Sequence, residues 1–380
     1  MDALSLSREL NICYYCGMEK QNIPAQDVRI DEIVSLSSPS VISAKFPVDD
    51  EIISRIHSYR ETVNNIIQGR DNRMLAIVGP CSINNPQSAL EYAKKLKDLS
   101  EKVKNEFFIV MRTYFEKPRT ILGWKGLILD PDMDGSYNIE KGLCVARKLL
   151  LDISHLGLPV GCEFLDPIVP QYIDELMSWA SIGARTTESQ THRNLASGLS
   201  VAVGFKNSTS GDLTNAINAV KTAASPASFI GINKNGDTVV LRTTGNDCCH
   251  LILRGGDKAP NYYEDDVEIA KQKMIELKVN PSIIVDCSHA NSRKDFRRQK
   301  RVLRSVLDQR AWGEYSIKGF MLESNLFEGN QKIPENIHDL KYGVSVTDSC
   351  IGWDETERIL LHGAELLKKA KLNGGSVDIL

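Results

Sequence analysis

No stretch of the chain is apolar over the length that a membrane-spanning helix needs. The opening residues, MDALSLSREL, lack a basic start followed by an apolar run, so the expected location is the cytoplasm rather than a secretory route. Charge of one sign is not in excess: 46 Lys+Arg stand against 49 Asp+Glu, a formal net charge of -3. A nucleic-acid footprint needs a basic surplus, so neither nucleic acid nor a membrane is an expected partner. Basic residues that matter must cluster locally. Cysteine is too sparse for a disulfide scaffold, with nine in 380 residues, an odd count. Cys162 and Cys287 sit inside apolar runs, as reduced, buried thiols do. Cys13 and Cys16 have CxxC spacing, but no second pair and no strand–helix context accompany them, and the pair reads as incidental. Repeats and low-complexity segments are also absent. What remains is a chain of 42% hydrophobic composition, long enough for one large core or two smaller ones.

The first seventy residues differ from the rest. Residues 1–26 show no sustained periodicity, and 27–33 (DVRIDEI) suit a short strand or a turn. Ser, Pro and Val dominate from Ser35 to Pro47. Asp49 to Gln68 reads as an amphipathic helix, with Ile52, Ile56, Val63 and Ile66 near helical spacing and Gly69 as its stop. Residues 1–70 are therefore expected to form an N-terminal extension and 71–380 a catalytic domain. In the latter, short apolar runs alternate with helical segments. The strand candidates are 74–78, 107–112, 160–164, 181–185, 201–205, 251–254, 283–286 and 319–323. Helices are expected over 86–103, 141–156, 170–179 and 212–224. Eight alternating units over about 250 residues predict a closed (β/α)8 TIM barrel in the α/β class. Residues 229–233 and 238–242 flank Lys234-Asn235-Gly236-Asp237, an Asn-Gly hairpin signal. A hairpin inserted between strands five and six, outside the barrel wall, is expected.

Nearly every strand candidate ends in a residue suited to anion binding or chemistry: Cys81 after the first, then Arg112, Glu163, Arg185, Lys206, Arg254, His289 and Glu323. In such barrels the C-terminal strand ends surround one pocket. Any one of these alone is more simply a loop charge, a core thiol or a structural histidine. Together, Arg112, Arg185, Lys206 and Arg254 would repel one another in a shared pocket unless an anion or partner carboxylates neutralised them. Arg and Lys so arranged suit phosphate and carboxylate groups. Cys81, His289 and Glu323 offer sulfur, imidazole and carboxylate from strands that meet in a closed barrel, with Asp348 a fourth candidate. That mixed set fits first-row divalent ions and not magnesium or calcium. The competing reading makes Glu323 a pairing partner of a strand-end arginine.

With those residues assembled, the sequence resembles the type I 3-deoxy-D-arabino-heptulosonate-7-phosphate (DAHP) synthases, enzymes of the shikimate pathway. The segments that carry the resemblance are IVGPCSI, MRTYFEKPRT, GWKGLILDPDMDGS, GCEFLDPI, IGARTTESQTHRNLASGLS, VGFKN, HLILRGG, PNY, VDCSHANS, ESNLFEGNQ and YGVSVTDSCIGW, in order from about Asp27 to Leu367. The resemblance implies a condensation of phosphoenolpyruvate with erythrose 4-phosphate. It implies Cys81, His289, Glu323 and Asp348 as metal ligands for one divalent first-row ion per subunit, manganese before iron, cobalt or zinc. It implies Arg185, Lys206 and Arg254 as the grip on the phosphate of phosphoenolpyruvate, and Arg112 and Lys117 at its carboxylate and reacting end. Arg119 and Thr120 would take the phosphate of erythrose 4-phosphate, and Lys117, Glu163 and His289 would move protons. An aromatic amino acid effector is implied at Asp27, Pro170, Gln171, Ser200, Phe229, Gly231 and Leu241, with dimers or tetramers built through the same parts. Gly231 leaves room for a phenol hydroxyl, which favours tyrosine as inhibitor, although glycine also eases hairpin twist. Three alternatives are weighed against this. They are a synthase acting on arabinose 5-phosphate, a Schiff-base aldolase using Lys206, and a barrel that only binds a metabolite.

Overall fold

The computed structural model describes residues 26–118 and 123–372. The chain divides into two compact units, Met1–Leu36 and Ser37–Leu380. In the first, Ile30 N donates to Asp27 O at 3.0 Å, so this stretch makes a turn and no strand among the described residues. Val28, Ile30, Ile33 and Val34 are exposed.

Among the described residues the second unit holds ten strands. They are β1 (Met74–Gly79), β2 (Phe107–Arg112), β3 (Val160–Glu163), β4 (Trp179–Ile182), β5 (Ala202–Lys206), β6 (Ser228–Ile232), β7 (Thr238–Arg242), β8 (His250–Leu253), β9 (Ile283–Asp286) and β10 (Ile317–Glu323). Eight of them close a barrel in the order β1-β2-β3-β4-β5-β8-β9-β10, and every pairing in it is parallel. The expected (β/α)8 barrel is therefore present. Strand residues alternate between two faces. Leu75, Ile77, Val110, Ala202, Ile252, Ile284 and Met321 fill the inside, while Ala76, Val78, Ile109, Val203, Val285 and Phe320 meet the surrounding helices.

The helix Asp50–Ile67 contributes Val63, Ile66 and Ile67 to the inner cluster and so plugs one mouth of the barrel. Asp49 accepts from Ile52 N at 2.8 Å at its start, and Gly69, at φ +80°, ends it. The plug leaves the opposite mouth, at the C-terminal strand ends, as the open one.

The largest shift from expectation is at β4. The sequence pattern placed a helix to residue 179 and a strand from 181. The structure stops the helix at Ile173, adds a 3-10 turn over Asp174–Leu176, and starts the strand at Trp179. The run MSWASI is apolar without clear period, which is where helix and strand cannot be told apart by pattern. Packing decides it: Trp179 pairs with Gly161, where a Cβ would stand 2.9 Å from the indole.

β6 and β7 form a separate antiparallel pair, the expected hairpin. Gly236 N donates to Asn233 O and Asn233 N to Asp237 O, both at 3.0 Å, with Gly236 at φ +87°. That is a tight turn closed by a left-handed glycine. No helix among the described residues is long and apolar enough to cross a membrane.

Candidate active site

β1 and β2 approach so closely at their ends that a Cβ on Gly79 would lie 2.8 Å from Arg112 O. The close approach delivers Cys81 and Arg112 to one spot. Arg112 is fully buried. It donates to Glu323 Oε1 at 3.0 Å, Pro80 O at 3.1 Å and Cys81 O at 3.2 Å. Its Nη1 has no partner among the described residues. Glu323 thus does pair with a strand-end arginine, and it also faces Cys81 and Asp348. Ligand atoms of Cys81, Glu323 and Asp348 all lie within 4.8 Å of one another. His289 joins through Glu323, with Nε2 at 3.8 Å from Oε1. Its Nδ1 lies 2.9 Å from Asp286 Oδ2 and 2.7 Å from Ser288 Oγ, which fixes the ring so that Nε2 faces the cluster.

The donor chemistry fits a divalent ion. Burial, with help from Glu323 and Asp348, pushes the Cys81 thiol up to about 11. A thiol and two carboxylates crowded at this spacing are relieved by a cation, which also takes the place of the thiol proton. His289 can complete a mixed sulfur, oxygen and nitrogen set of the kind first-row ions take.

Beside this cluster lies a cavity of about 340 Å³ lined by Lys117, Glu163, Arg185, Lys206, Arg254 and His289, among others. Lys206, almost fully buried, donates to Glu163 Oε2 at 2.5 Å. Burial alone would raise the Glu163 carboxyl, but Lys206 and Lys117 outweigh it and hold it at about 2. Burial also works against the Lys117 ammonium, yet Cys81 and Glu323 outweigh it, so its pKa is raised. Arg185, in the turn after β4, and Arg254, after β8, line the same cavity. Among the described residues neither guanidinium has a hydrogen-bond or ion-pair partner. Two unpaired guanidiniums next to a lysine form a socket for a doubly charged anion.

Sequence reasoning passed over Tyr114. Its ring lies 3.7 Å from the Arg112 guanidinium, 5.3 Å from Lys206 Nζ and 5.5 Å from Lys117 Nζ. Its hydroxyl meets Ser181 Oγ at 2.8 Å. A ring face among three cations offsets part of their repulsion. The signal was available, since Tyr114 lies two residues beyond Arg112 and strand parity puts both on one face. Glu116 was also passed over. It is buried, accepts from Asp166 N at 3.2 Å, and is pushed up to about 8 by burial and then by Asp166. Arg119 and Thr120 lie outside the described residues, as do Cys13 and Cys16.

The expected regulatory residues only partly converge. Lys234 Nζ on the hairpin donates to Gln171 O at 2.7 Å, which joins the hairpin to Pro170-Gln171. Phe229 pairs with Leu241, and Gly231 with Val239. A Cβ on Gly231 would stand 2.6 Å from Leu241 Cδ1, so the space beside the glycine is filled by a movable leucine end. Ser200 is exposed, two residues past the helix Gln190–Gly198, whose Ser197 bonds Thr243 at the hairpin base at 2.7 Å. Asp27, at φ +61°, belongs to the first unit.

A parallel barrel with an anion socket and a candidate metal centre at its open mouth defines an enzyme-type site for phosphorylated substrates. Comparison narrows the class. The DAHP synthetase I family pattern matches residues 45–361. The Tyr-sensitive phospho-2-dehydro-3-deoxyheptonate aldolase of Escherichia coli (strain K12) is 52% identical over 334 residues, covering 88% of this chain and 94% of its own. The Phe-sensitive enzyme of the same organism is 48% identical over 347 residues, covering 91% and 99%. A solved phospho-2-dehydro-3-deoxyheptonate aldolase from Francisella tularensis SCHU S4 superposes with a TM-score of 0.87 at 45% identity, over 89% of this chain and 98% of that one. The chain belongs to the DAHP synthetase I family.

Proposed function

We propose that this chain condenses phosphoenolpyruvate with erythrose 4-phosphate and water, releasing 3-deoxy-D-arabino-heptulosonate 7-phosphate and inorganic phosphate. One observation carries the reading: Asp348 of the Cys81–Glu323–Asp348 cluster, and His289 beside Glu323, line the same cavity as Arg185, Lys206 and Arg254. Cys81, His289, Glu323 and Asp348 would hold one divalent ion, manganese before iron, cobalt or zinc, which would supply Lewis acidity toward an aldehyde oxygen. The protein does the rest. Arg185, Lys206 and Arg254 hold the phosphate of phosphoenolpyruvate, and the free Nη1 of Arg112 with Lys117 faces its carboxylate end. Arg119 and Thr120 take the phosphate of erythrose 4-phosphate. The methylene carbon of phosphoenolpyruvate then attacks the aldehyde carbon, water adds to the adjacent carbon, and the phosphate leaves with its bridging oxygen.

Of the three proton-carrying candidates, Lys117 is assigned the donor role because its ammonium lines the cavity beside the cluster. Glu163, held at about 2, acts as a counter-ion. The Nε2 of His289 is reserved for the cluster. Lys206, engaged with Glu163, is poorly placed to form a Schiff base. A heavy-oxygen label in the bridging position of phosphoenolpyruvate tests the reaction course. The label is expected in the released phosphate, and its retention in the sugar product would refute the proposal.

An aromatic amino acid bound near the hairpin and Pro170-Gln171 is the proposed feedback inhibitor, with tyrosine favoured by Gly231 when the end of Leu241 moves out of the space beside it. Residues 1–70 are proposed as the oligomerisation and regulatory extension of a catalytic barrel spanning 71–380. Exposed Val28, Ile33 and Val34 there, and Ile230 and Val240 on the hairpin, are apolar surface of the kind a homodimer or homotetramer covers.

A further inference from the structure

The segments VGFKN, PNY and HANS each contribute an asparagine that the reaction above leaves without a role. Asn207 follows Lys206 at the end of β5, Asn261 lies in the loop after β8, and Asn291 lies in the loop after β9. All three are buried and touch one another in a chain. Asn261 Nδ2 donates to Asn207 Oδ1 at 3.1 Å, and Asn261 N donates to Asn291 Oδ1 at 2.9 Å. Their remaining polar atoms are spent on a few backbone groups. Asn207 Nδ2 donates to Ser208 O at 2.8 Å and Gly255 O at 3.0 Å, and its Oδ1 accepts from Arg254 N at 2.8 Å. Asn261 Oδ1 accepts from Gly255 N at 2.7 Å. Asn291 Nδ2 donates to Leu253 O at 3.1 Å and Asp286 O at 2.9 Å.

The orientation of each amide follows from this pattern. Every Oδ1 meets only N–H groups and every Nδ2 meets only oxygens. Flipping Asn207 would set its amino group against Arg254 N–H and the amino group of Asn261. Aspartate in the chain would turn a donor into an acceptor facing another acceptor. Gly255, at φ +79°, passes so close to this chain that a Cβ would stand 2.6 Å from Asn291 N. The loop that carries Arg254 is thus held from both sides, by amides in front and by Ala290–Asn291 behind.

The backbone groups that are held adjoin the working side chains. They include Ser208 O, two residues beyond Lys206, and the amide of Arg254 itself, and they reach the carbonyl of Asp286, whose carboxylate sets the His289 ring. Given the proposed reading of the site, we infer that Asn207, Asn261 and Asn291 are positioning residues. Together they form a buried amide clamp that sets the separation of Lys206 and Arg254, and hence the fit of the phosphate of phosphoenolpyruvate. Asn261 is the link whose loss opens the clamp on the phosphate side alone, because its side chain bonds only Asn207 and Gly255 N, while its backbone bond to Asn291 survives substitution.

The test is steady-state kinetics of the full chain and of Asn261→Ala and Asn261→Asp, with thermal unfolding of each. Asn261→Asp matches the parent in size and keeps an oxygen acceptor toward Gly255 N, so it stands in if the alanine variant does not fold. The expected result is a KM for phosphoenolpyruvate raised at least about tenfold, the loss of one charge-assisted contact's worth of fit. The KM for erythrose 4-phosphate should stay within about twofold, since one such bond is not at stake there. Equal changes in both KM values, or an unchanged KM for phosphoenolpyruvate in a folded variant, would overturn the inference. A parent that does not turn over the two substrates would instead refute the proposed function. The clamp is then read from calorimetric titration of parent and variants with phosphoenolpyruvate alone, where weaker binding by the variants is expected and equal binding would refute it.

Discussion

Glu163→Gln is the most informative substitution in the cavity, because it removes a charge and keeps the shape. The parent carboxyl is buried against Lys206 at 2.5 Å and held at about 2 by Lys206 and Lys117. An unfolded glutamate titrates near about 4.3, so the displacement is worth about 3 kcal/mol of folding stability at neutral pH. The folded pKa lies below the unfolded one, so this stabilisation is present in full above about 4.3 and fades as pH falls toward about 2. Urea unfolding of parent and variant at a series of pH values measures it. At pH 7 the variant should be less stable by about 3 kcal/mol, and the gap should fall to about half that by pH 3. In the low-pH limit the two proteins converge, since a protonated glutamate leaves the same cations unpaired as a glutamine. A variant as stable as the parent at pH 7, or a gap constant from pH 7 to pH 3, would refute the ion-pair account of Glu163.

The plug of the barrel gives a second expectation. Ile66→Ala should cost about 3 kcal/mol by leaving a cavity among Val63, Leu75 and their neighbours. Denaturant unfolding checks the loss, and both KM values should stay near the parent's because the plug lies at the mouth opposite the site. Arg185→Ala removes an unpaired guanidinium from the socket and should raise the KM for phosphoenolpyruvate by about tenfold or more while lowering turnover. Confinement of the loss to erythrose 4-phosphate would show the two phosphate sites to be exchanged. Titrating activity with tyrosine, phenylalanine and tryptophan should show tyrosine to be the strongest inhibitor. Gly231→Ser, which forces Leu241 to move, should change that preference, and an unchanged order would remove the basis for tyrosine.

Much of the architecture was legible because the barrel repeats one physical rule. Apolar runs such as 74–78 and 107–112 are bounded by polar loops, and the strand ends deliver chemistry in sequence order. The convergence of the candidate site residues was legible for the same reason, since residues as distant as Cys81 and Glu323 become neighbours once the first and last barrel strands pair. Pattern failed where tertiary packing decides: at Trp179, where the run has no period to separate helix from strand and the indole's seat beside Gly161 settles it as a strand. The plug was legible as an amphipathic helix but not as a plug, because nothing in its own sequence says which surface its apolar stripe covers. Tyr114 and Glu116 were passed over because a buried aromatic or a carboxylate one residue from a lysine looks like ordinary core or surface until its neighbours are placed. The three asparagines were quoted within motifs but carry no chemistry individually, and their role exists only in the contacts among them.

The central claim is that a divalent ion and a phosphate socket at one barrel mouth join phosphoenolpyruvate to erythrose 4-phosphate. Phosphate release from the purified chain, followed with each sugar phosphate before and after chelation and again after manganese is restored, tests it directly. The account predicts release with erythrose 4-phosphate and little with arabinose 5-phosphate, abolished by the chelator and recovered with the metal. Full activity in the chelated sample, or equal turnover of the two sugars, would contradict it.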